Sequence, residues 1–121
     1  MSLTGLLATR SSLGTVRRAA EVTTASGGTK RTWTDTATGV AAWVNELSRG
    51  RAQRLWGQET EATHEAVFEA AVDVRPGDGF VVTGGPYTGE RFRVHIVASP
   101  LTGPSHRHAA LHRSVSSTEF A

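Results

Sequence analysis

Apolar and polar residues alternate along much of this chain. The alternation is cleanest from Arg91 to Ala98, where Phe92, Val94, Ile96 and Ala98 fall on one face and Arg91, Arg93 and His95 on the other. A period of two puts successive side chains on opposite faces, which predicts a half-buried strand. The same rhythm predicts a last strand over His106–Val115, with Ala109, Leu111 and Val115 inward and His106, His108 and His112 outward. It predicts a short strand at Gly79–Thr83 and a central one at Thr38–Leu47. In the central strand Val40, Ala42 and Val44 share one face and Ala41, Trp43 and Leu47 the other, so cover is expected on both sides. Val16–Thr24 is a weaker first strand with Ala20 and Val22 inward. Lys30–Thr36 reads as a polar approach anchored by Trp33, with a bend at Asp35-Thr36.

Two stretches break the pattern. Ser48–Gly57 has a helical rhythm, with Ser48 placed to cap a short helix and Gly57 just past its end. Gln58–Val74 is rich in Glu and Ala and by propensity reads as helix. By alternation it reads as a strand over Ala62–Val72, with Ala66, Phe68, Ala70 and Val72 on one face and Glu65, Val67, Glu69 and Ala71 on the other. The tight turn Arg75-Pro76-Gly77-Asp78, feeding a plain strand, selects the strand. A helical start at Glu59–Thr63 stays open. Gly84–Gly89 is a hairpin connection, and Ser99–Ser105 a loop. Residues 1–13 form an N-terminal arm and 116–121 a frayed tail. The sum is an all-β domain over 14–115: a small five- to six-stranded β-barrel or sandwich, with an inserted loop or short helix at 48–58 between the second and third strands.

Composition narrows the function. The 121 residues suit a single domain with a modest core, since only 38% are hydrophobic and 13 are glycine. Such a chain gains stability from association. A net charge of +2 does not suggest general nucleic-acid binding. Without cysteine there are no disulfides and no thiolate zinc sites, and the chain fits a reducing compartment. No apolar run approaches the ~20 residues that span a bilayer, and no leader signature is read at the start. The chemistry is sparse. His106 and His108, two apart on one strand face, with His112 beyond, could ligate a metal, but no carboxylate or thiolate stands near them in sequence, so no metal, cofactor or catalytic residue is assigned. His64 is read as a structural hydrogen-bonding residue. Gly84–Gly89 lacks the lysine and the following helix of a phosphate loop. If the last two long strands pair, Arg91, Arg93, His95, His106 and His108 form one basic outer face that could meet DNA or an acidic partner ring.

The order of signals resembles the bacteriophage head–tail joining family, the head-closure or stopper proteins of tailed-phage necks. The matching pieces begin with Gly14, Val16-Arg17-Arg18 and the Arg31–Asp35 approach. They continue with Ala42-x-Val44, Leu47-Ser48, Gly50, Ala62-Thr63-His64 and Val74-x-Pro76-Gly77-Asp78 before a valine-rich strand. The hairpin at Gly84–Gly89 is longer than the family's tight turn, and the arm before Gly14 is extended. The resemblance implies a non-enzymatic subunit of a homo-oligomeric ring, about twelvefold, between the portal-adaptor ring and the tail. Such a ring helps retain packaged double-stranded DNA and gives the tail its docking surface. It implies a virion location, with assembly in the host cytoplasm. By position the channel loop is 48–58, so Arg49, Arg51, Arg54, Leu55 and Trp56 are candidates to face DNA or a neighbour. Trp43, Glu59, Glu61, Arg91 and Arg93 are candidate subunit-interface residues. A tail-terminator ring and a small-barrel nucleic-acid-binding module are the alternatives.

Overall fold

The computed structural model describes residues 12–69, 71–98, 106–114 and 120. They form six strands, β1 (Ser12–Thr23), β2 (Thr29–Glu46), β3 (His64–Glu69), β4 (Gly79–Gly84), β5 (Arg91–Ala98) and β6 (His106–Ser114). One helix, α1 (Arg49–Trp56), joins β2 to β3. Every neighbouring pair is antiparallel, and the order β1-β2-β3-β6-β5-β4 closes on itself where β4 pairs with β1. The chain is therefore a small all-β barrel with a short helix between its second and third strands. The arm over 1–11, the loop over 99–105, Ala70, Val115, the tail apart from Phe120, and the side chain of His106 lie outside the described residues.

The inward residues of all six strands fill the barrel. Phe68, Phe80, Phe92, Leu111, Val16 and Val94 are fully buried, with the rings of Phe68 and Phe80 edge to face at 5.2 Å. Each large apolar side chain so buried contributes about 1.5–3 kcal/mol over exposure. Gly14 is required by this packing: a Cβ there would sit 2.7 Å from the Val81 carbonyl oxygen and 2.7 Å from the Phe80 ring. β3 is a strand, as the alternation indicated, but shorter than Ala62–Val72, because its ladder to β6 runs only from His64 to Glu69.

Three expectations about the strands fail. Ile96 and Ala98 do not point inward: Ile96 is 40% exposed, because an irregularity in the β5–β6 register between Val94 and Ile96 shifts the alternation and leaves Val97 against the core. Asp35-Thr36 is not a bend, since β2 runs unbroken for 18 residues. Ala20 and Val22 do not face a core: both are exposed. The last two share one cause. β1 pairs with β4 only over Leu13–Arg17, yet its pairing with β2 continues to Thr23↔Thr29. The stretch beyond Arg17 is a two-stranded ribbon standing off the barrel, turned at Thr24–Gly28 by a hydrogen bond from Gly27 N to Thr24 O of 3.0 Å. Ala20 and Val22 alternate with polar residues there, but no barrel strand lies behind them to bury that face.

The foot of the ribbon is braced by charge. Buried Asp78 accepts from Arg18 Nε at 3.0 Å, from Arg18 Nη2 at 2.9 Å and from Arg75 N at 2.9 Å. Arg17 pairs with Asp35 at 2.9 Å. Phe120, expected in a frayed tail, is buried. Its ring lies 4.9 Å from Trp33, edge to face, and against Gly79, where any Cβ would overlap it.

Candidate functional site

Helix α1 carries the charge that singled it out. Ser48 Oγ accepts from Arg51 N at 3.2 Å, and Gly57, at φ 104°, ends the helix while its N–H donates to Gln53 O at 3.0 Å. Yet the excursion does not project. Ala110 of β6 points outward between the inward Ala109 and Leu111, and it packs with Leu47, Ala52 and Ala62 into a second small core flanked by Trp56. Ala52 and Trp56, four apart, put one helical face onto the barrel.

The expected channel-facing residues therefore divide. Arg51 Nη2 donates to Glu65 Oε1 at 3.1 Å, and Glu65, 5% exposed, also contacts His108 Nε2 at 2.8 Å. Trp56 is half-buried against the His108 ring at 5.0 Å. Arg49 bonds the Thr60 carbonyl of its own loop. Trp56 is thus turned to its own barrel, while Arg51 pairs with Glu65 of its own chain and keeps 56% of its side chain exposed. Arg54 and Leu55 are exposed, Leu55 by 46%.

The interface candidates are brought to two places. Glu59, Glu61 and Arg93 line one groove of about 750 Å³ with Trp56, His95 and Ile96; its floor is the outer face of β5 and its wall the segment after α1. Trp43 is elsewhere, on the outer face of β2, 38% exposed. Arg91 and Arg93 are half-buried, Arg93 with its guanidinium 5.6 Å above the Phe120 ring.

The basic face expected along β5 and β6 is split, although the two strands do pair. His108 turns to Glu65. His95 instead stacks on His112, centroids 5.5 Å apart and planes 26° from parallel. Burial pushes the His95 pKa below the ordinary histidine value, and the neighbouring His112 adds to this. Among the described residues no group of three or more His, Asp or Glu is placed to hold a metal. His64 is buried inside the barrel, in register with Leu111, 2.9 Å from Thr63 Oγ1, with its ring 4.8 Å from Phe92 and 5.5 Å from Tyr87. Burial lowers its pKa as well. That geometry is one of packing.

Sequence reasoning missed the ribbon foot. A cleft of about 300 Å³ there is lined by Arg18, Arg31, Trp33, Arg75, Arg93 and Asp78. The charge pair holds the Arg18 pKa above its usual value, and hydrogen bonds from Arg75 and Arg18 hold Asp73 below its own. The one available signal was an aspartate closing the Arg75–Asp78 turn, opposite a strand with paired arginines.

No family model matches the chain, and no curated protein matches it. The solution structure of protein SF1141 from Shigella flexneri 2a is similar in fold. It superposes with a TM-score of 0.71, over 87% of this chain and 93% of that one, at 17% identity.

Proposed function

We propose that this chain is a structural subunit of a bacteriophage neck, a head-closure protein that forms a ring between the portal-adaptor ring and the tail. One observation carries the reading. A closed barrel is interrupted between its second and third strands by a short, basic, capped excursion, Arg49–Trp56, the layout that the resemblance to the head–tail joining family requires. In this role the barrel is an inert spacer. The surfaces around it contact neighbouring copies, the adaptor, the tail proteins and the packaged DNA. Arg54 and Leu55, exposed on α1 and clear of its packed face, join the exposed Arg49 and Arg51 as the members of the excursion open to a partner.

The test is antibody labelling of particles from the infection that expresses this chain. A head-closure protein labels tail-free, DNA-filled heads. Label confined to head-free tails replaces this reading with a tail terminator, and label on neither overturns both. An Arg54→Glu/Leu55→Ser variant, which leaves the packed face of α1 intact, is expected to give heads that lose DNA or lack tails.

A further inference from the structure

Trp43 and the 750 Å³ groove are separate features on one barrel, and the strand order fixes their relation. In the cycle β1-β2-β3-β6-β5-β4, β2 and β5 stand three places apart in either direction. They lie on opposite sides of the barrel. On the β2 side, Trp43 faces outward beside Ala41, with Leu13 in register with Ala41 and Val67 in register with Trp43. Leu13 is 47% exposed and Val67 half-buried, so an apolar knob spans three strands. On the β5 side the groove offers exposed Ile96 and the edge of Trp56 between the carboxylates Glu59 and Glu61 and the bases Arg93 and His95.

We infer that the outer face of β2, centred on Trp43, seats in the β5 groove of a second copy of this chain, head to tail. An apolar projection on one side and an apolar recess on the other make a heterologous contact, which repeats until it closes. The angle suits closure. In a ring of about twelve, each subunit turns by about 30°, so its two contact faces stand about 150° apart, close to the opposition of β2 and β5. With 38% of its surface still exposed, Trp43 gives such a contact an aromatic centre, and the groove is large enough to admit its outer edge. An aromatic anchor in a recess rimmed by charges of both signs is the form that central interface residues take. A two-fold contact of the Trp43 face with itself would leave the groove empty and stop at a dimer. The inference rests on the ring reading and names the surfaces that build the ring.

The absence of cysteine from the sequence makes the test clean. Ala41→Cys and Gln58→Cys are placed beside the knob and on the groove wall, with Trp43 retained. Treatment of the double variant with a short bismaleimide is expected to give a ladder of dimer, trimer and higher species. Each single variant is expected to stay monomeric on a denaturing gel. Trp43→Glu is expected to abolish the ladder while the protein still melts cooperatively. Light scattering on the unlinked protein separates the two failures. Rings without a ladder, or dimers from Ala41→Cys alone, overturn this interface and leave the ring reading standing. A chain that stays monomeric at every concentration overturns both.

Discussion

Helix α1 and the β1–β2 ribbon both leave the barrel, but they are held in different ways. The helix is rich in charge and short, yet it lies flat because Ala52 and Trp56 meet Leu47, Ala62 and Ala110, and because Arg51 reaches the buried Glu65. The ribbon is longer and stands free. Val22 on it is 49% exposed, and what secures it is its own ladder, the charge cluster at Asp78 and the contact of Trp33 with Phe120 at its foot. Charge density is therefore a poor guide to which segment projects. Two apolar residues four apart decided the helix, whereas Ala20 and Val22 of the ribbon lie beyond the last residue that β4 pairs with.

Substitutions can break this contrast. Ala52→Glu puts a carboxylate into a fully buried site and is expected to cost about 3 kcal/mol or more in urea unfolding; an unchanged midpoint would mean that α1 is not docked. Asp78→Ala removes the acceptor of three hydrogen bonds at the ribbon foot and is expected to cost about 2 kcal/mol. Hydrogen exchange should speed up along Arg18–Thr23, with the barrel strands still protected.

A smaller effect comes from pH. Burial depresses the folded pKa of His64, amid the charges of Glu46, Arg113 and Glu90, so the unfolded chain takes up its proton first. The contribution of neutral His64 is complete above the unfolded value of about 6.5 and is lost as pH falls through that value toward the folded one. The melting temperature is expected to drop between pH 7.5 and 5.5, and to drop less in His64→Gln. A residue of the effect should remain from His95, which is shifted in the same direction. At the bottom of the scale, Val22→Ser on the ribbon is expected to change stability by less than about 0.5 kcal/mol in the same urea experiment. A larger loss would mean that Val22 itself has a packing partner.

Most of the barrel could be read from alternation, because its strands bury one face and solvate the other. Val40, Ala42, Val44, Phe92, Val94, Ala109 and Leu111 all point where the pattern put them. The caps of α1 were legible too, since Ser48 and Gly57 act through local geometry. What stayed hidden depended on contacts distant in sequence. Ile96 changed face at an irregularity that only the pairing with β6 reveals. Arg51 found Glu65, and Arg18 found Asp78, 60 positions away. The interface candidates Glu59, Glu61 and Arg93 were picked individually, and only the fold shows that they share a groove while Trp43 sits across the barrel from it.

The rings of Phe68, Phe80 and Phe92 leave the barrel with a solid centre. Nothing the width of a DNA duplex can thread one copy. In the proposed ring, any bore would be a gap enclosed by several copies, walled by the outsides of their strands, with a diameter set by how many stand in the circle. Opening or shutting such a bore is then work for surface segments and for the tilt of whole subunits, while each barrel stays as rigid as a stone in an arch.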